Sequence, residues 1–303
     1  MDRRQFLHHG LTATTLAASH RLGLGASPDA AARNEFCYFT KHLQALDFET
    51  LAEVSARMGV DGVEVPVRPK GHIEPERVEE ELPQLVQALK AQNLNLSILT
   101  SGINEVSAEQ RTEAVLRTAA KLGVKRFRML YYKYDLDQPL WPQLEGFRAR
   151  YRDLVALCRE IGIQPLYQNH SGAAYAGAAL WDVDDLMREF PESEAAFAFD
   201  IRHATVEGGL AWPQHAALAR QRMGAVYFKD FQWEGRKPIN CPLGEGQVSP
   251  DFAKRLVKDG YSGPISLHLE YLTGDPRDAA VLESFETAHT RDFAVLKGWL
   301  GLA

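Results

Sequence analysis

Cysteine is scarce in this 303-residue chain. The three that occur, Cys37, Cys158 and Cys241, lie far apart without a C-x-x-C pair, which excludes a zinc–thiolate site and predicts three buried thiols. Basic charge is also short, with 34 Lys and Arg against 40 Asp and Glu and a formal charge of −6. Such a surface has no surplus of cations to neutralise a run of phosphates, so no nucleic acid partner is expected. Neither G-x-G-x-x-G nor a P-loop occurs, which argues against an open doubly wound sheet holding a nucleotide. No apolar run approaches the ~20 residues of a spanning helix, and no stable membrane anchor is expected. What remains is an ordinary globular composition, 45% hydrophobic and 24% charged.

Residues 1–27 stand apart from the rest. Met1-Asp2-Arg3-Arg4-Gln5-Phe6-Leu7 sets two adjacent arginines before a short apolar run rich in Thr and Ala, residues 11–19, and resembles a twin-arginine export signal. The resemblance implies a signal peptide over 1–27, a folded domain over 34–303, and a protein that works in the periplasm or outside the cell. His8, His9 and His20 belong to that segment and carry no chemistry.

From residue 35 to 290, β-rich runs alternate with helical periodicity eight times. Strands are predicted at 36–42, 62–67, 94–99, 126–131, 164–170, 196–200, 225–230 and 264–271, and helices at 48–58, 78–91, 108–122, 144–161, 183–190, 213–223 and 251–258. Gly59, Gly123, Gly162 and Gly224 each follow a helical run, where a left-handed C-cap is wanted. Eight β-then-α units predict an α/β fold, a (β/α)8 TIM barrel in a single domain. The segment 230–250 is long for a loop in such a barrel and is a candidate to close over ligand.

Barrel chemistry stands at the C-terminal ends of the strands, and the period-two alternation says which side chains face inward. In the last strand these are Ser266, His268 and Glu270; in the sixth, Ala196, Ala198 and Asp200, with His203 just beyond; in the fifth, Leu166, Gln168 and His170; in the seventh, Tyr227 and Lys229; in the second, Glu64. Asp200, Lys229 and Glu270 are the hardest to read as structural, because buried charges at neighbouring strand ends need partners. Glu64 either joins the site or pairs with Arg68 or Lys41. Tyr227 and His268 are also consistent with core packing, and Asp230 and Glu245 with plain loop roles. Lys41, Arg128 and Arg202 are the cations that such a fold could bring together.

Phe199-Asp200-x-x-His203-Ala204, Phe228-Lys229-Asp230, Pro242-Leu243-Gly244-Glu245-Gly246 and His268-Leu269-Glu270-Tyr271, in this order, resemble the xylose-isomerase-like TIM-barrel superfamily of sugar and sugar phosphate isomerases and epimerases. The likeness spans roughly residues 36 to 290. It implies a divalent metal (Mn, Mg, Co or Zn) held by Glu, Asp, His and Glu on the fifth to eighth strands, with the two glutamates exchanging substrate protons. Two of those four positions differ here. Gln168-Asn169-His170 stands where the family has Glu-Asn-His, and Tyr227-Phe228-Lys229-Asp230 where it has His-x-Lys-Asp. A glutamine offers a carbonyl oxygen but no base, and a neutral tyrosine is a poor ligand. The metal set that survives is Gln168, Asp200 and Glu270, with His203 or His170 as replacements.

The functional expectation is an exported enzyme that acts on a keto sugar or oxidised glycoside by removing a proton α to a carbonyl. Glu270 is its base, Lys229 or a metal steadies the enediolate, and His170 or His203 donates the proton. Lys41, Glu64, His203 and His268 are candidate substrate contacts. Two other readings are a barrel that only binds carbohydrate, with Trp141, Trp212 and Trp233 around its mouth, and a metal-dependent abasic-site endonuclease. The second needs a richer His and carboxylate cluster than these strand ends offer.

Overall fold

The computed structural model describes residues 34–302, so residues 1–27, where an export signal is expected, lie outside the described residues. The strands are β1 (Phe36–Phe39), β2 (Gly62–Val67), β3 (Asn95–Ser101), β4 (Arg126–Arg128), β5 (Gln164–Gln168), β6 (Ala196–Asp200), β7 (Met223–Phe228), then a hairpin of β8 (Asp230–Glu234) and β9 (Lys237–Cys241), and last β10 (Ile265–Leu267). All but the hairpin pair in parallel and close into an eight-stranded barrel, β1 meeting β10 on one side and β2 on the other. Helices α1 (Phe48–Arg57), α2 (Val78–Ala91), α3 (Thr112–Lys121), α4 (Leu140–Ile161), α5 (Trp181–Met187), α6 (Ile201–Gly208), α7 (Trp212–Ala219), α8 (Asp251–Lys258) and α9 (Ala279–Trp299) alternate with the strands. The chain is a TIM barrel of one domain, as the eightfold pattern predicts.

Differences from the pattern have local causes. Helix α4 starts four residues before 144 because Leu140 and Trp141 are helical yet exposed, so they add nothing to its buried stripe of Leu144, Phe147, Tyr151, Leu154, Val155 and Cys158. Helix α6 starts directly after β6 and has no gap for periodicity to reveal; Asp200 ends the strand and caps the helix, accepting a hydrogen bond from the His203 amide. Gly59, Gly123 and Gly162 do take positive φ at helix ends, but Gly224 does not. It lies inside β7, where a Cβ would stand 2.5 Å from Leu166 and 2.9 Å from Ala196, so close strand approach and not capping requires glycine there. Cys37 and Cys158 are buried, whereas Cys241 on the hairpin is only half-buried.

The long segment after β7 is tied down. Asp230 is buried, and its carboxylate accepts from the amides of Phe231 (2.8 Å), Gly244 (3.0 Å), Gly246 (3.1 Å) and Val248 (2.9 Å). Asp230 is therefore the staple of this segment, and Glu245 is a surface residue 3.6 Å from Arg291.

Inside the barrel the filling has two levels. Cys37, Ile98, Leu166, Ala196, Ala198, Ala225 and Tyr227 form an apolar plug, in which small alanines leave room for the tyrosine ring. Above it stand Glu64, Thr100, Arg128, Gln168, Asp200, Lys229, Ser266 and His268, all buried. An apolar floor under a densely paired polar layer is what positions the site.

Outside the barrel, burial keeps several histidines neutral. His289 packs on Tyr38 (4.3 Å) and Phe293 (4.9 Å) with neither ring nitrogen hydrogen-bonded, and burial pushes its pKa well below the ordinary value. Burial likewise lowers His42 to about 3 and His72 to about 4. The unfolded chain takes up these protons near pH 6.5 while the folded chain refuses them. Stability is therefore complete above that pH and lost as pH falls toward the folded-state values, by about 2 kcal/mol per such histidine at pH 5. Thermal unfolding should show a plateau above pH 7 and a steep fall between 6.5 and 4, flatter in His289→Phe; a level profile down to pH 5 would contradict neutral burial.

Candidate active site

The sixth strand supplies the centre. Asp200 is fixed at its backbone by Asn169, whose side chain donates to the Asp200 carbonyl (2.9 Å) and accepts from its amide (2.7 Å). One carboxylate oxygen caps α6 through the His203 amide (3.1 Å). The other receives the Gln168 amide (2.8 Å) and the Lys229 ammonium (3.1 Å). Lys229 is 3% exposed, and its nitrogen also stands 3.6 Å from Glu270. The three charges that the sequence singled out thus meet in one place. Burial opposes ionisation of Asp200, but Lys229, His268 and the His203 amide together outweigh it and hold the carboxyl below its ordinary range. Lys229 itself is pulled down by burial and raised further by Asp200 and Glu270, so it stays an ammonium. Glu270 is held well below the usual carboxylate range, chiefly by Lys229.

Behind Glu270 lies a second group. His268 Nε2 is 3.0 Å from Glu64, and its Nδ1, which has no hydrogen-bond partner, is 4.0 Å from Glu270. Glu64 also accepts from Thr100 (2.5 Å) and Ser266 (2.8 Å) and stands 3.6 Å from Arg128. Burial would raise its pKa, yet His268, Arg128 and Thr100 bring it down to about 2. Glu64 therefore pairs with His268 and Arg128 and not with Arg68 or Lys41, and side chains 0% exposed place Glu64 and His268 behind the groups that face solvent. Because Glu64 only accepts, His268 Nε2 carries the hydrogen and Nδ1 turns a lone pair toward Glu270.

Glu270 opens outward, 27% exposed, beside a small cavity of about 130 Å³ lined with Phe39, Lys41, His42, Leu269 and Leu272. Lys41 thus belongs to the mouth. His170 and His203 lie against each other, ring centroids 4.0 Å apart with their planes tilted by 35°. His203 Nδ1 faces Ser171 (2.7 Å) and the Arg202 guanidinium (3.2 Å), so the hydrogen sits on Nε2, 3.6 Å from Asp200. Burial, then Lys229, lowers His170 to about 4 and drives His203 well below its ordinary value. Arg202 is held by Ser171 and the hairpin carbonyl of Pro238, not with Lys41 and Arg128. Trp141 and Trp181 are exposed along an apolar groove of about 570 Å³ that Tyr175 links to His170. Trp212 instead packs against Phe252.

Sequence reasoning missed Tyr131, Thr100 and Asn169 and gave Arg128 no place in the cluster. Arg128 and Tyr131 both donate to Gln168 Oε1, the tyrosine at 3.0 Å. Thr100 and Arg128 are paired neighbours on β3 and β4, late in their strands, which is the signal that inward alternation offered.

The donors do not fit a divalent metal at Gln168, Asp200 and Glu270. The carbonyl that Gln168 would offer already accepts from Arg128 and Tyr131, while its amide nitrogen faces Asp200. Turning it over would set NH2 against the guanidinium, donor against donor. Tyr227 is buried with its ring 4.4 Å from His268. Among the described residues no cluster of three or more His, Cys, Asp or Glu is arranged to hold an ion.

No curated protein matches the chain. Among solved structures it is similar to a xylose isomerase domain protein from Planctomyces limnophilus (14% identity, TM-score 0.64, covering 88% of this chain and 96% of that one). D-psicose 3-epimerase from Clostridium cellulolyticum, solved with D-tagatose, aligns at 12% identity and TM-score 0.64 over 88% and 99% of the two chains. The 3-keto-D-glucoside 4-epimerase of E. coli aligns at 16% and 0.62 over 88% and 100%. At such identities the likeness is one of fold. The model of the xylose isomerase-like TIM barrel family matches residues 52–291, and the chain belongs to that family.

Proposed function

We propose that the chain is an exported carbohydrate isomerase or epimerase, or a lyase with the same first step, acting on a keto sugar or oxidised glycoside. The observation that carries the reading is Glu270. It is an ionised carboxylate open to solvent at 27%, beside an ammonium 3% exposed and backed by a histidine 0% exposed. Two similar folds bear on it as well: one belongs to an enzyme named for epimerising D-psicose and the other to one named for a 3-keto-D-glucoside.

Glu270 takes the proton from the carbon beside the carbonyl. Lys229, kept protonated by two carboxylates, is no Schiff-base nucleophile; it donates to the oxygen on which charge builds. Once protonated, Glu270 turns its O–H to the free Nδ1 of His268, whose other nitrogen gives its hydrogen to Glu64. A proton returned to either face, or loss of a leaving group, then separates epimerisation, isomerisation and elimination. His203, whose Nε2 carries hydrogen, and His170 stand on the other side of Lys229; both are kept neutral, so they offer hydrogen bonds to substrate and not an acid's proton. A barrel that binds carbohydrate without chemistry is the second reading, favoured only by the aromatic groove of Trp141 and Trp181.

Glu270→Gln should reduce solvent-deuterium incorporation into keto sugars and oxidised glycosides by roughly 10²–10⁴-fold with binding retained, since the amide keeps the shape and loses the base. Equal incorporation by both forms would remove Glu270 from the mechanism, and none by either across a broad panel would favour the binding barrel. Glu64→Gln should slow exchange about tenfold or more and displace its pH profile, because His268 loses the partner that steadies its charge; a slower rate with an unmoved profile would mean a structural role only. For export, a reporter fused to residues 1–35 should leave the cytoplasm only with both Arg3 and Arg4 present, and retention of the intact fusion in a competent host would refute it.

A further inference from the structure

We propose that Lys229 is the resident cation of this site, standing between Asp200 and Glu270 where a divalent ion would stand, so that the chain works without a metal. The inference rests on the carbonyl-chemistry reading above for its purpose, but not for its test.

Three observations converge. The ammonium lies 3.1 Å from Asp200 and 3.6 Å from Glu270, spanning the two carboxylates with its charge buried. Gln168 is locked with its nitrogen toward Asp200 by two donors on its oxygen, so the fifth strand turns a donor, not a ligand, toward the centre. On the seventh strand Tyr227 is consumed by packing between the apolar plug and His268. The charges agree: Glu64, Asp200 and Glu270 face Lys229 and Arg128, and a carboxylate at 168 would leave four anions against two cations. A dication added to the present set would instead crowd against a fixed ammonium a few ångströms away. Lys229 has three N–H donors; Asp200 at 3.1 Å takes one and Glu270 at 3.6 Å is an ion-pair partner only, which leaves N–H for a substrate oxygen. It therefore supplies to one substrate oxygen, as a hydrogen-bonding point charge, what a metal supplies as a Lewis acid.

Metal content reads this without any substrate, so a failed sugar assay leaves it untouched. The full-length chain, loaded with Mn²⁺ and desalted, should retain less than about 0.1 equivalent by mass spectrometry, and its melting temperature should not respond to Mn²⁺. Lys229→Met, alone and with Gln168→Glu, should gain Mn²⁺ binding and Mn²⁺-dependent thermal stabilisation, the double variant approaching about one equivalent. Wild type holding about one equivalent that Asp200→Asn releases would overturn the proposal. So would a Lys229→Met protein that melts cooperatively, yet stays metal-free both alone and with Gln168→Glu.

Discussion

The Asp200–Lys229 contact is the constraint on which the upper half of the barrel depends. Charges removed from water in a barrel lumen cost several kcal/mol each unless paired at close range, and breaking such a pair costs more than forming it gains. Every neighbour respects this. Asn169 fixes the Asp200 backbone, the α6 amide takes one oxygen, and Gln168 and Lys229 share the other. Arg128 then answers Gln168 and Glu64 together, which carries the pairing across the barrel to His268 and β10. Removal of one member would orphan the next, so the layer is best regarded as one network whose carboxylate at the solvent side is Glu270.

The fold was legible because it is repetitive. Eight alternations, with glycine at helix ends, leave a barrel as the natural closed arrangement, and burial enforces the period-two pattern on every strand. The parts that sequence missed are those without a periodic signature: the direct passage from β6 to α6, the exposed first turn of α4, and the role of Gly224, whose capping and packing readings look alike until the neighbouring strand is known. For the site, alternation identified which of Asp200, Lys229, Glu270, Glu64 and His268 point inward, but not their depth. Depth decides that Glu270 meets solvent while Glu64 and His268 stand behind it, and depth depends on barrel stagger, which no single strand encodes.

Gln168 and Tyr227 read in sequence as two independent losses from a metal site. In the structure they are parts of one arrangement. A neutral amide is the one group that satisfies a guanidinium on its oxygen and a carboxylate on its nitrogen at once, which neither Glu nor Asp can do. A tyrosine at 227 fills the space above Ala198 and Ala225 and presents its face to His268, holding that ring against Glu64. The changes thus exchange coordination for hydrogen bonding and packing, and both favour an ammonium at the centre.

For the proposed reaction, this exchange has a cost that the substrate must lift. The ion pair that keeps Glu270 ionised also lowers its proton affinity, and a carboxylate held so far down is a weak base in the free enzyme. Once a substrate oxygen takes a hydrogen bond from Lys229, and more so as that oxygen gains negative charge, the ammonium is drawn from Glu270. The carboxylate's affinity for a proton then rises as the carbon acid gives one up, and His268 waits with a free lone pair 4.0 Å away. In the proposed reaction base strength and oxyanion stabilisation are linked through one nitrogen atom, so that the site would become basic only with a carbonyl substrate in place.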